Sequence, residues 1–424
     1  MSSRNFRLPI LAVFFVALLP AAPAPKIRIS AWYWLNSAPK SEWGRDFGEM
    51  SKMGFTDVLL CWGLDAAAFG LPGRIQDSLE AMRLAHEVGV GSYIVFWHPT
   101  HNSLARRPEF QQVDAAGDRL FAFDTFNPEW RRTQWKDYLQ RVARTYRKAP
   151  GFSGYVFDDS FGIGPIDTFG GKPVPVNDRY ISYNDFEKNT FKGELPRKPG
   201  SPQWQRWCEA RAKWWEEWGR DTVRFIREID PDKAHEIYIE DEAHVLSPQM
   251  KDSVGLDLGR LSRQFDAVGA YTEIAWDSPD ATKGAQITSD VLARTRAAAG
   301  PNTKIIYTFW IANAPEERKP GPAQYPTVQQ IKAVSEAALK AGIRHLDMYG
   351  YRIGEYEVNP PSDWPKARPG TGAAYPLTGQ FPQKFLWDRP KLHEELGEYL
   401  RGLNGPVKAG RTRVSAENGI ARCR

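Results

Sequence analysis

The chain has 424 residues, 42% apolar and 25% charged, with 16 Trp and an aromatic share of 13%, a composition that excludes a wholly disordered, collagenous or coiled-coil protein. Lys and Arg number 56 against 51 Asp and Glu, a formal charge of +5 with no basic block, so nucleic-acid binding has no footing. Seven His and three scattered Cys (Cys61, Cys208, Cys423) without a CxxC argue against a metal knuckle or a disulfide framework.

Arg4 and Arg7 precede an apolar run from Leu8 to Leu19, followed by the small residues Ala21, Ala22 and Ala24. This order reads as a secretory signal over residues 1–24, too short in its apolar part to span a bilayer as a mature helix. The expected location is therefore secreted or periplasmic, with no membrane attachment after cleavage. Cys61 and Cys208 are expected to be buried thiols.

From residue 25 onward, short β-rich apolar runs alternate with helical stretches. Eight runs stand out: Ile29–Leu35, Thr56–Trp62, Ser92–Trp97, Gly154–Asp158, Glu236–Glu240, Ala267–Tyr271, Lys304–Trp310 and Arg344–Tyr349. Three are introduced by one phrase, Met53-Gly54-Phe55, Val88-Gly89-Val90 and Ala341-Gly342-Ile343, which reads as a helix stopped by Gly and followed at once by a strand. Between the runs, Ser41–Met53 places Trp43, Phe47 and Met50 on one helix face. Asn127-Pro128-Glu129 is a helix start, and Thr327 with Gln330 fits a capping box. Trp204 to Ile229 reads as a long aromatic-rich helix stopped at Asp230-Pro231, and Lys391 to Leu403 as a last one capped by Asp388.

Continuous apolar strands alternating with helices predict a parallel sheet covered on both faces, and eight units predict a closed (β/α)8 TIM barrel over residues 25–404. The surplus sequence falls in long loops after strands 3, 4 and 8, and residues 405–424 form a polar tail. No GxGxxG or P-loop follows a strand, and His98 and His101 have no third His nearby. Neither cofactor nor metal is expected.

The carboxyl ends of barrel strands converge on one mouth. Here they carry the rings Trp32, Trp34, Trp62, Trp97, Tyr271, Trp276, Trp310, Tyr349 and Tyr351, and the carboxylates Asp158, Asp159, Glu240, Asp241, Glu242, Glu273 and Asp347. Flat rings stack on the C–H faces of sugars. Carboxylates bind hydroxyls and supply the acid, base or nucleophile of glycosidic cleavage. The pattern points to a carbohydrate partner.

Three phrases sharpen this: Ser41–Gly63 (SEWGRDFGEMSKMGFTDVLLCWG), Arg106–Arg132 (RRPEFQQVDAAGDRLFAFDTFNPEWRR) and Tyr138–Gly162 (YLQRVARTYRKAPGFSGYVFDDSFG). The stretch from Ile29 to about Trp218 resembles the first half of a clan A glycoside hydrolase barrel, nearest to family 42 β-galactosidases. That resemblance implies an acid/base Glu after strand four and a nucleophile Glu on strand seven. The sequence departs from both. Asp158 matches the family's Asp, but Asp159 stands at its Asn and Ser160 at its catalytic Glu, while Tyr307–Trp310 offers no Glu. The Phe-Asp-Asp ending of strand four also resembles retaining glycosidases that keep an Asp nucleophile there, such as α-L-fucosidases and α-galactosidases. The phrase Asp347–Arg352 resembles the strand-eight ends of bacterial glycosyl-hydrolase-like barrels.

The expected activity is hydrolysis of O-glycosidic bonds in an oligo- or polysaccharide. Asp158 or Asp159 is assigned as nucleophile or base, and Glu242, Glu240 or Glu273 as general acid. Trp34, Trp62, Trp97, His98, Tyr271, Trp310, Tyr349 and Arg352 are assigned to substrate. The alternative is a non-catalytic carbohydrate-binding barrel, a degenerate hydrolase, favoured by Ser160.

Overall fold

The structure is a computed structural model that describes residues 26–35, 38–61, 72–96, 108–113, 117, 119–158, 168–169, 172–173, 184–192, 195, 200–240, 248–272, 280–311, 326–353, 384–385 and 389–404. Eight parallel strands close on themselves: β1 (Arg28–Trp34), β2 (Asp57–Cys61), β3 (Gly91–Phe96), β4 (Phe152–Phe157), β5 (Ala234–Glu240), β6 (Ala267–Thr272), β7 (Ile305–Trp310) and β8 (His345–Ile353). The seam pairs β8 with β1, in register from Arg28 opposite His345 to Ala31 opposite Met348. The expected (β/α)8 barrel is the fold, and each of the eight apolar runs is one of its strands.

The outer layer is helical: α1 (Lys40–Met53), α2 (Pro72–Glu87), α3 (Lys136–Tyr146), α4 (Pro202–Arg227), α5 (Ala281–Ala299), α6 (Val328–Lys340) and α7 (Pro390–Asn404). Between β5 and β6 the helical layer among the described residues is reduced to two single turns, Met250–Val254 and Leu258–Ser262. A small antiparallel hairpin, 111–113 with 119–123, fills part of the long β3–β4 connection. The repeated Gly phrase does what its chemistry requires. Gly54, Gly89 and Gly342 all have positive φ (99°, 80° and 87°), where a Cβ is strained, and each turns a helix end into the next strand. Thr327 and Gln330 form the full capping box at the start of α6, and the Asn127 side chain accepts from the N–H groups of Glu129 and Trp130.

Strand alternation sorts the chain into two cores. Outward residues such as Ile29, Ala31, Tyr33, Tyr155, Phe157, Tyr307, Phe309, Leu346 and Met348 meet the helices. Much of the Trp content is spent here. Trp214, Trp215 and Trp218 of α4 are buried against Phe126, Phe265 and Phe157. Trp135 stacks on Trp130 and Tyr138, with its N–H donated to Thr222 Oγ1 at 2.8 Å. Inward residues form a second cluster with Trp32, Trp34, Leu59, Cys61, Tyr93, Val95, Val156, Tyr238 and Ile306. Cys61 and Cys208 are buried free thiols, as expected.

The barrel interior is closed at its amino-terminal end by charge. Arg28 donates to Asp57 Oδ2 at 3.0 Å and to Glu236 Oε1 at 2.5 Å, with its guanidinium 4.0 Å from the centre of the Tyr93 ring. Burial pushes the Glu236 carboxyl up, and Arg28 pulls the other way. Small residues make room for the large ones. A Cβ on Gly269 would stand 2.5 Å from the Tyr238 ring, and one on Gly154 would stand 2.9 Å from that of Tyr93.

Candidate active site at the carboxyl end of the barrel

The mouth is built by the last inward residue of several strands. Tyr349 on β8 lies 4.6 Å, centre to centre, from Trp310 on β7 and 5.9 Å from Tyr271 on β6. Tyr271 and Trp310 are 6.3 Å apart, nearly edge to face. All three are half-buried. Beneath them, Trp32 of β1 is buried, 5.4 Å from Tyr349 and 5.8 Å from Tyr238. Edge and tilted arrangements at these spacings satisfy the ring quadrupoles and hold the cluster in shape.

One pleat deeper lies Asp347, with no exposed surface. It accepts from the Ser30 hydroxyl, from Trp32 Nε1 at 2.5 Å and from Thr308 Oγ1 at 3.1 Å. Burial pushes its carboxyl up to about 6, although the three donors and the more distant Arg28 charge favour the ionised form. His345, a further pleat down, is kept neutral by burial and by the Arg28 charge. Enclosed as it is, Asp347 has no surface to present to a ligand.

Of the residues assigned from sequence, Tyr271, Trp310 and Tyr349 come together in one cluster. Trp34 packs in the inner core, 9% exposed. Asp158 follows β4 at the register position two beyond inward Val156; it is half-buried, with its N–H donated to the Phe96 carbonyl at 3.1 Å. Glu240 ends β5 opposite Tyr271 in the β5–β6 register, and Arg352 lies on β8 opposite Tyr33; the side chains of both fall outside the described residues. Asp159, Glu242, Glu273, Trp62, Trp97 and His98 lie outside the described residues altogether. Tyr351 is a correction. Between Ala31/Met348 and Tyr33/Arg352, β8 carries two residues more than β1, with Gly350 at φ 95°. This bulge turns Tyr351 outward onto Phe55, 5.8 Å away, and out of the mouth.

Sequence reasoning placed Asp347 among the open carboxylates of the mouth, whereas it lies buried beneath the rings, and it missed Ser30 and Thr308. The available signal was a polar-x-aromatic pair repeated on three neighbouring strands: Ser30-x-Trp32, Thr308-x-Trp310 and Asp347-x-Tyr349. With the period of two, each pair stacks a polar group directly below a ring. Among the described residues no three His, Cys, Asp or Glu side chains are grouped to hold a metal ion. No helix among them is long and apolar enough to cross a membrane.

The fold defines the chain as a (β/α)8 barrel with a ring-lined mouth at the carboxyl ends of its strands. No protein-family model matches the sequence, and no curated protein matches it in sequence. The similarity lies in solved structures. The β-galactosidase of the psychrophilic Marinomonas ef1 superposes with a TM-score of 0.56 at 13% identity, over 88% of this chain and 59% of that one. The endo-β-1,4-mannanase of Thermotoga petrophila gives 0.53 at 12%, over 91% and 78%. The β-amylase catalytic domain of Paenibacillus polymyxa gives 0.52 at 11%, over 76% and 91%. The chain spans between half and three-fifths of the length of the β-galactosidases it matches from Marinomonas, Halorubrum lacusprofundi and Rahnella.

Proposed function

We propose that this protein is a secreted glycoside hydrolase that cleaves O-glycosidic bonds of an oligo- or polysaccharide in the barrel mouth. The observation that carries the proposal is the half-open cluster of Tyr271, Trp310 and Tyr349, a ring surface suited to the C–H face of a pyranose. The barrels it resembles, named as β-galactosidases, a mannanase and a β-amylase, support the same class of chemistry. Asp158 or Asp159 is the nucleophile or base, and Glu240, Glu242 or Glu273 is the acid. The donor must keep its proton near neutral pH, which a wall of apolar rings favours by desolvation. Trp62, Trp97, His98 and Arg352 complete the substrate contacts. Export rests on residues 1–24.

The test is hydrolysis of aryl glycosides, lactose, β-1,4-mannotetraose and maltotetraose by the purified protein, with the anomer of the product read by NMR. Turnover that is lost in Asp158→Asn or Asp159→Asn while saccharide binding persists is the expected result. Retention would imply carboxylates about 5–5.5 Å apart, and inversion about 6.5–9.5 Å. Ser160, at the place of the clan's acid, favours a second reading as a non-catalytic carbohydrate-binding barrel. On that reading the saccharides bind and no variant has turnover to lose.

A further inference from the structure

Three strands that meet at the barrel seam are joined by one carboxylate. Asp347 of β8 accepts from Ser30 of β1, from Trp32 of β1 and from Thr308 of β7. Each of these strands places a ring of the mouth two residues further along the same face: Trp32 above Ser30, Trp310 above Thr308 and Tyr349 above Asp347 itself. The arrangement holds Trp32 most directly, because its only polar atom is committed to Asp347. Trp32 then packs against Tyr349, and Tyr349 is the ring that touches Trp310 and Tyr271. Three donors converge on an acceptor-only group, and an aliphatic or amide residue in its place leaves at least one of them unmatched.

We infer that Asp347 is a positioning residue for the saccharide platform, acting through Trp32 to set the angle of Tyr349 and hence the open surface shared with Trp310 and Tyr271. The inference rests on the reading of the mouth as a saccharide site. Its consequence is specific: the group governs how well sugar is held rather than the chemistry of cleavage. Asp347 makes no contact with substrate, so altering it changes affinity by tilting rings and leaves the reacting carboxylates in place.

The experiment compares wild type, Asp347→Asn, Trp32→Phe and the double variant, using lactose, β-1,4-mannotetraose and maltotetraose as probes. Trp32→Phe keeps an aromatic ring and deletes the N–H with part of the indole, so it breaks the link while leaving a ring in place. Expected are an unchanged far-UV spectrum, altered near-UV circular dichroism in Asp347→Asn, and, in both single variants, a tenfold or larger weakening of whichever probe wild type binds. Where turnover exists, KM rises while kcat stays within about threefold. The double variant is expected to be no worse than the poorer single one, because the two substitutions break the same link. Full additivity, or wild-type affinity in Asp347→Asn, overturns the inference. If Asp347→Asn does not fold, Trp32→Phe decides alone: unchanged affinity overturns it. If wild type binds none of the probes, the saccharide reading fails first. The near-UV comparison of Asp347→Asn with wild type still decides whether Asp347 sets the rings, and an unperturbed spectrum in that variant overturns it as well.

Discussion

Ser30 on the first barrel strand and His345 on the last meet across the seam with Oγ and Nε2 2.7 Å apart. The serine hydroxyl has a single proton, and it is donated to Asp347. The imidazole must therefore donate from Nε2, which fixes its tautomer. Burial first, and the Arg28 charge second, hold this ring well below the ordinary histidine range. His345 is expected to stay a neutral imidazole from pH 7.5 down to pH 5, in the Nε2–H form while Asp347 is ionised. Its ring 15N and 13C shifts in a labelled sample check this, and a titration midpoint near 6.5 would refute it.

Asp347 and His345 act on stability in opposite senses. His345 has a depressed value in the fold, so its contribution is present above the unfolded value of about 6.5 and is lost as pH falls. Asp347 is raised to about 6, so the folded chain takes up its proton before the unfolded chain does, and its contribution appears as pH falls from about 6 toward 4. In Asp347→Asn only the histidine arm remains. Relative to wild type, the variant should lose about 2 kcal/mol more stability at pH 4.5 than at pH 7.5, at about 1.4 kcal/mol per pH unit. Urea unfolding at the two pH values measures the gap, and a gap independent of pH would mean that the Asp347 carboxyl is not raised.

Much of this barrel was legible before any coordinates. Runs such as Thr56–Trp62 and Lys304–Trp310 announce buried parallel strands by apolar continuity, and the Gly phrases mark helix ends because only glycine takes their positive φ without strain. Strand period also brings Tyr271, Trp310 and Tyr349 to one mouth. What the sequence leaves unstated is the partner across the seam. The contact of Asp347 with Ser30 and Trp32 spans more than three hundred residues, and the local pair Asp347-x-Tyr349 sets the carboxylate below a ring without naming its donors. The same limit explains Tyr351. The two-residue surplus in β8 inverts its side, and a strict alternation carries no sign of the bulge.

Gly269 has a packing reason to lack a side chain. A Cβ there would meet Tyr238 Cδ1 at 2.5 Å, inside the barrel where that ring packs edge-on against Trp32. Gly269→Ala is expected to destabilise by about 1–3 kcal/mol, the usual cost of overpacking a filled core. Chemical denaturation at pH 7.5 checks it. Gly48→Ala is the control, since a Cβ there would meet nothing within 4 Å.

Arg131 is the buried clasp between the turn that precedes α3 and the long helix α4. It donates to the Phe126 carbonyl at 2.6 Å, to Glu217 Oε2 at 3.2 Å and to Asp221 Oδ2 at 3.2 Å. Removing the cation leaves two neighbouring carboxylates without it and strands a buried carbonyl. Because both carboxylates keep some access to water, Arg131→Met should cost about 3 kcal/mol, at the lower end for a broken buried pair. A thermal-unfolding midpoint within a degree of wild type would refute the clasp.

The tryptophans divide into two kinds, and one pair of substitutions separates them. Trp218 is fully buried between the barrel and α4, packed on Trp215, Phe157 and Phe265. Trp310 is half-open at the mouth, with Tyr349 on one side. Trp218→Ala should cost about 3–5 kcal/mol of stability and, where the protein remains folded, leave saccharide affinity within about twofold, on the order of 0.4 kcal/mol. Trp310→Ala should cost less stability, because part of its surface is never removed from water, yet weaken saccharide binding about tenfold or more, some 1.4 kcal/mol. Calorimetric titration alongside urea unfolding of both variants gives the two axes. Loss of affinity in Trp218→Ala with none in Trp310→Ala would move the sugar site away from the mouth.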